Sequence, residues 1–240
     1  MRSYTRHQLK QDAFTTSTAE TISWAVEHRS KLIAAGVVVV VVLALLGGGW
    51  AYINYRDQQA REQLAQAIEK FNEPVRPAGT PATPEVPSFG SVEERARVSN
   101  AEFTPIADKY PHTQSGQTAR YFAGVTARDM GNNAAAESAL QQVAGSRYPE
   151  IASLAKLALA ALYHDTSRNL QAVDLYKQLI DHPTESVGKS TAQLALASLY
   201  VSMARPDDAR HLYEQMQKES PGGAVAQLAS QRLQELSKQQ

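Results

Sequence analysis

Apolar residues are distributed in two unlike ways along the chain. Between Lys31 and Arg56 lie 24 consecutive uncharged residues, LIAAGVVVVVVLALLGGGWAYINY, with six valines in a row from Val37 to Val42. Further on, apolar residues return at every third or fourth place, the spacing of one buried helix face. From residue 92 onward no stretch alternates as a strand would. The pattern predicts one long apolar helix followed by a series of amphipathic helices.

The first run matches a membrane crossing. A bilayer core needs about 20 apolar residues of helix, and a helix with no polar face has no place to meet water. Trp24 precedes the run, and Trp50, Tyr52 and Tyr55 stand at its far end, as aromatics do at membrane interfaces. A cleaved signal peptide is the rival reading. Its apolar core runs to about 7–15 residues after a short leader, whereas here 31 residues precede the run and no A-x-A pattern follows. The run is read as an uncleaved transmembrane helix over 32–53. Arg2, Arg6, Lys10, Arg29 and Lys31 precede it, against Arg56, Arg61 and Lys70 beyond it. This bias favours a cytoplasmic N-terminus. It predicts a single-pass protein of a bacterial inner membrane, with its C-terminal domain in the periplasm.

The leader, 1–31, has Ile22, Ala25, Val26 and Arg29 at helical spacing, with Thr18 or Thr21 as a cap. It fits two readings, a docking peptide for a cytoplasmic partner and a plain topogenic flank. Beyond the span, Leu64, Ala67, Ile68 and Phe71 form one apolar face. Five of the eleven prolines then fall between Pro74 and Pro87. That density blocks helix and predicts an exposed loop over 72–91. Helix resumes where Ser91 can cap and Glu94 stands three residues on.

Self-comparison exposes a repeat. The segments EFTPIADKYP, ALQQVAGSRYP, LYKQLIDHP and LYEQMQKESP align. A large residue recurs at Phe103, Leu140, Tyr176 and Tyr213, spaced by 37, 36 and 37. Three residues later come Ile106, Val143, Leu179 and Met216; four residues earlier come the small Ser99, Ala136, Ala172 and Ala209. Each segment ends at Pro111, Pro149, Pro183 or Pro221, where proline stops the helix. A preceding helix carries Gly124, Ala160 and Ala197, followed three later by Ala127, Tyr163 and Tyr200. Small residues let two helices approach closely, and the large residue fills the space beyond.

This helix–turn–helix unit of about 36 residues resembles the tetratricopeptide repeat. The resemblance covers about residues 92–223 and departs from the pattern near the start of the first helix of each unit, where Arg120, Lys156 and Gln193 replace a large aromatic. It implies an all-α fold: an N-terminal transmembrane helix followed by a tetratricopeptide-like α-solenoid over 54–240. Helix 54–71 pairs with helix 92–110 as the first unit, with the proline-rich loop inserted between them. A helix over 224–240, with Val225, Leu228, Leu233 and Leu236 on one face, caps the stack.

Composition narrows the chemistry. With no cysteine, disulfides, thiolate metal sites and thiol catalysis are excluded. The 24 basic and 24 acidic residues cancel, which argues against a nucleic-acid binder. Residues 1–31 carry five basic and three acidic residues, and 32–240 carry 19 and 21, so the zero is the sum of a basic leader and a slightly acidic remainder. His7, His28, His112, His164, His182 and His211 are scattered, and no H-E-x-x-H, P-loop, G-x-S-x-G or G-x-G-x-x-G is present. No catalytic, cofactor-binding or metal-binding residue is predicted, and no small-molecule substrate.

What remains is surface. The tetratricopeptide resemblance implies that the first helices of the units line a protein-binding groove. Its register carries over to Thr118, Tyr121, Val125, Arg128, Leu154, Leu157, Ala161, His164, Thr191, Leu194, Ser198 and Val201. That set is apolar with few charges, which suits extended apolar segments. For Leu154, Leu157 and Leu194 a core position is the equal alternative.

The whole order of leader, anchor, exit helix and degenerate repeats resembles the YfgM-like family, ancillary subunits of the Sec translocon. That resemblance implies a non-enzymatic, membrane-embedded module whose repeats bind translocon subunits, periplasmic chaperones or exported clients and assist export and folding. A scaffold of cell-envelope assembly or cell division is the alternative.

Overall fold

The structure, a computed structural model, describes residues 28–77, 79–80 and 87–238. The expected leader helix with its Thr18 or Thr21 cap, and the middle of the proline-rich loop, lie outside the described residues. Two compact units divide the chain, Met1–Asn54 and Tyr55–Gln240. The described residues form nine helices and no strand.

The described part of the first unit is helical. It belongs to α1 (Arg29–Phe71), which also enters the second unit. α1 is long and apolar enough to cross a membrane, and its most apolar 18 residues are wholly unburied. Every large side chain from Leu32 to Leu46 is exposed. The helix has no polar face on which water could rest.

The second unit holds the end of α1 and then α2 (Val92–Lys109), α3 (Gln114–Asp129), α4 (Asn133–Ala144), α5 (Pro149–Asp165), α6 (Asn169–Asp181), α7 (Lys189–Ser202), α8 (Pro206–Glu219) and α9 (Ala224–Lys238). From α2 onward each helix packs on its neighbours in sequence, and α3 also touches α5. α3, α5 and α7 are the first helices of their pairs; α4, α6 and α8 are the second.

Burial follows the repeat. Phe103, Leu140, Tyr176 and Tyr213 are buried, as are Ile106, Val143, Leu179 and Met216 three places on. The small residues Ser99, Ala136, Ala172 and Ala209, and Ala160 and Ala197 in the first helices, are all at 0% exposure. At Gly124 even a Cβ would come within 2.8 Å of Leu140 Cγ. Alanine fills the aligned places 160 and 197, where the large residue of the pair is a flat tyrosine and not a leucine branched at Cγ. The apolar face of α1 is buried too, through Ala60, Leu64 and Ala67. Phe71, Phe103 and Phe122 meet there with ring centroids 5.0–6.0 Å apart.

The turns inside each pair share one design. Gly131, Ser167 and Ala204 take positive φ of 74°, 62° and 55°. In each case the next residue donates its N–H back to the carbonyl of Ala127, Tyr163 or Tyr200. This is the Schellman stop, which satisfies carbonyls at a helix end. Its following residue is already the N-cap of the second helix, Asn132, Arg168 or Arg205. Asn132 Oδ1 accepts from Ala135 N at 3.2 Å. The arginines make no such cap and lie over tyrosine rings, Arg168 on Tyr163 at 4.3 Å and Arg205 on Tyr200 at 4.7 Å.

The expected proline stops need correcting at one place. Pro111, Pro183 and Pro221 follow helix ends, but Pro149 is the first residue of α5; α4 has already ended, with Gly145 as its C-cap. Proline at a first helical position loses no bond, because that N–H has no partner anyway. The loop over 72–91 is also more ordered at its base than proline content suggests. Val75 bridges Phe89, Arg76 N donates to Phe89 O at 2.8 Å, and Phe89 is buried. Ser91 Oγ accepts from Glu94 N at 3.0 Å. The Glu94 carboxylate returns to Gly90 N at 2.7 Å, one residue earlier than a standard capping box.

Asp57 ties the end of α1 to the first full pair. Its Oδ1 accepts from Ser115 N at 2.8 Å, in the first turn of α3, and its Oδ2 from Arg61 at 3.1 Å. Burial alone would raise its pKa; hydrogen bonds from Ser115 and Arg61 outweigh burial and hold the carboxyl below its ordinary value. A depressed carboxylate stabilises the fold above its unfolded pKa, and that contribution is lost as pH falls through the folded value. Acidification below about pH 4 should therefore weaken the second unit. Asp57→Ala should cost about 1.5–3 kcal/mol at neutral pH and remove this part of the acid sensitivity, both measurable by denaturant unfolding at several pH values. Ala204→Gly should relieve left-handed strain and raise Tm by about 2–4 °C, while Gly131→Ala should lower it; calorimetry checks both.

Candidate functional site

α3, α5 and α7 each bury one side against their partners and leave another open. On α5, Ile151, Ala155, Leu159, Leu162 and Tyr163 are buried. Leu154, Leu157 and Ala161 on the same helix are only half-buried. The same division holds on α3, where Thr118, Tyr121, Val125 and Arg128 are half-buried. On α7, Leu194 is half-buried, and Thr191, Ser198 and Val201 are exposed. His164 is exposed. None of the twelve positions drawn from the repeat register is a core residue, although Tyr121, Leu154, Leu157 and Leu194 pack against the edge of the core.

Two groups of these residues are brought into contact with others. Arg128 donates to Asp165 Oδ2 from Nη2 at 2.6 Å and from Nε at 3.0 Å, joining the C-terminal ends of α3 and α5. Tyr176 lies near that pair. Burial raises its hydroxyl pKa; Arg128 acts against burial and Asp165 adds to it. The charges of this strip thus neutralise each other. At the other end, Ser198 and Val201 border a cavity of about 220 Å³ whose other walls are Tyr213, Arg232, Glu235 and Leu236. Arg232 and Glu235 pair at 2.8 Å.

The remaining positions are satisfied locally. Thr118 Oγ1 donates to Gln114 O at 3.0 Å. Tyr121 packs edge-on against Phe122 with centroids 5.3 Å apart, and burial raises its pKa. His164 Nδ1 meets Asn169 Oδ1 at 2.9 Å, a bond across the turn. Among the described residues, no group of three or more histidine, aspartate or glutamate side chains is placed to hold a metal ion.

The repeat register ends at Val201 and does not reach Arg232 and Glu235, which border the same cavity. The signal was available: α9 follows α8 as α7 follows α6, so it occupies the place of another first helix. Read only as an amphipathic cap, it gave no reason to assign its polar side to a site.

The division between open and buried faces can be checked directly. Val201→Gln should change stability by about 0.5 kcal/mol or less, as at an exposed site. Leu159→Ala, two residues from Leu157 but buried, should cost about 2–5 kcal/mol through the cavity it leaves. Urea unfolding of the two variants compares them.

The family model described as a tetratricopeptide repeat-like domain matches residues 24–175. The match opens ahead of the apolar run, takes in α1 to α5 and the proline-rich loop, and ends within α6. No curated protein and no solved structure matches the chain. A family match over more than half the chain agrees with the repeat spacing and with an all-helical fold whose recurring positions are buried. This protein belongs to the tetratricopeptide repeat-like domain family.

Proposed function

We propose that the protein is a membrane-anchored, non-catalytic module that binds other proteins through the open faces of α3, α5 and α7. The observation that carries this reading is the split on those helices. The chain spends its large apolar residues on packing at every repeated position, yet leaves Tyr121, Val125, Leu154, Leu157, Leu194 and Val201 accessible along one register. Such a strip, whose Arg128 and Asp165 cancel each other, suits an uncharged, extended or partly unfolded segment. A partner would gain by burying apolar surface at about 25 cal/mol per Å² without having to desolvate an unpaired charge.

The anchor reading is supported by α1. An unburied helix of valine and leucine is stable only in an apolar medium, and Trp50, Tyr52 and Tyr55 end the run as interface residues do. The excess of basic residues ahead of the run supports a cytoplasmic leader and a periplasmic repeat domain in a bacterial inner membrane. The likeness of the whole layout to YfgM-like proteins supports a place beside the Sec translocon, among exported clients and periplasmic chaperones.

A photo-reactive residue at Leu157 in the full-length protein, irradiated in cells, tests the partner class. Crosslinks to translocon subunits or to proteins in export are expected. Crosslinks confined to cell-wall synthesis or division proteins would replace this reading with that of an envelope scaffold. A crosslink yield unchanged by Leu154→Asp and Leu194→Asp would show that these faces do not bind.

A further inference from the structure

The turns that join one helix pair to the next lie along one edge of the repeat domain. Contacts run along it: Arg56 donates to Lys109 O, Arg147 to His112 O at 3.0 Å, and Ser186 N to Glu150 at 2.7 Å, while Lys189 pairs with Glu219 at 2.6 Å. The opposite edge carries the Arg128–Asp165 and Glu137–Arg168 pairs.

The cations of the first two turns on this edge differ in their partners. Two basic side chains there have carboxylates: Arg61 holds Asp57, and Arg120 holds Asp108. Among the described residues, Arg56, Lys109 and Arg147 have none within ion-pair distance. They rest on aromatic rings and backbone oxygens. Arg56 and Lys109 lie over the Tyr110 ring at 4.6 and 5.3 Å, and Arg147 lies over Tyr148 at 5.1 Å. The nearby Glu150 faces the next turn, where Ser186 N donates to it. Later turns on the same edge are mixed, with Asp181, Glu185 and Glu219 against Lys189 and Lys218.

Chain length fixes where that charge can be. Arg56 is three residues beyond residue 53, and three residues reach at most about 11 Å even when fully extended. Arg56 therefore stays within about one Debye length of the end of the span in any orientation of the repeat domain. Lys109 is bonded to it, and the turn that carries Lys109 also holds Arg147 through His112 O.

We propose that Arg56, Lys109 and Arg147 form a contact surface for the anionic phospholipid headgroups of the bilayer that α1 crosses. The proposal rests on the anchor reading above. The phosphates supply the counter-charge that the protein withholds, and the guanidinium forks of the two arginines suit phosphate oxygens. The contact holds this edge of the repeat domain down on the membrane, independently of any protein partner.

The absence of cysteine allows a single site-specific label. A fluorophore on His112→Cys, exposed in the second turn, is read in full-length protein reconstituted into vesicles carrying a headgroup quencher. Vesicles of phosphatidylcholine alone are compared with vesicles that also contain phosphatidylglycerol. Quenching is expected in the anionic vesicles only, to fade at high salt, and to be absent for a label at Asp129→Cys on the opposite edge. Neutralising Arg56, Lys109 and Arg147 to glutamine should reduce the contact population about fivefold for each cation removed. Since glutamine at 56 or 147 also removes hydrogen bonds, the charge-keeping set Arg56→Lys, Lys109→Arg and Arg147→Lys should retain quenching. Failure of the full-length protein to float with either vesicle would overturn the anchor reading and this proposal together. Flotation with equal quenching in the two lipids, or with none, would overturn this proposal alone. Protection of the label by a soluble acidic peptide, with no dependence on lipid, would assign the surface to a protein partner instead.

Discussion

Close approach of paired helices is the constraint on which the repeat domain depends. It is met by a small residue on each side of the interface and one large residue beyond it. Ala160 and Ala172 with Tyr176, and Ala197 and Ala209 with Tyr213, are variations on Gly124 and Ala136 with Leu140. The alanines at these positions are fully buried, and at Gly124 not even a methyl group fits without Leu140 giving way. Interiors packed at crystal density convert such clashes into energy. No disulfide or metal is needed when each pair contributes another layer of the same packing.

The turns obey the same economy. Each first helix stops with a left-handed residue, and the chain begins the second helix immediately afterwards. In two pairs the residue after that stop is an arginine lying on the tyrosine of its own helix end. This position usually makes an apolar contact in a Schellman stop; here a guanidinium plane supplies it. Arg168 also forms a two-pronged pair with Glu137 at 2.8 Å from each nitrogen, which ties neighbouring pairs together. The first pair lacks the tyrosine and uses Asn132 as a conventional cap. The same fold position is thus held by two different chemistries, which is one reason the repeats look degenerate in sequence.

The strip proposed here for partners is what this packing leaves over. Each first helix touches its own second helix and its neighbours, and one strip of it is left with nothing to bury. Several of the domain's polar residues are engaged in caps and ion pairs. Their pKa shifts follow from those partners: Asp57 from Ser115 and Arg61, and Glu137 from Arg168. Asp57 and Glu137 each attach one helix of the domain to another.

Much of this was legible from the order of residues. The apolar run, the period near 36, the small-then-large pattern and the Ser91 cap depend on local spacing, and helix geometry turns spacing into faces without further information. The register pointed to one side of α3, α5 and α7 but left Leu154, Leu157 and Leu194 open between groove and core, because a stacked helix presents two packed sides. The sequence could not distinguish Pro149 as a helix start from its three counterparts, since proline is tolerated at both places. It gave no sign that Phe89 would close the base of the proline-rich loop, that Asp57 would reach Ser115 across 58 residues, or that Arg232 and Glu235 would border Ser198 and Val201. These are contacts between residues remote along the chain. Local periodicity decides which side of a helix is apolar; only the packed arrangement decides which distant group each exposed charge will meet.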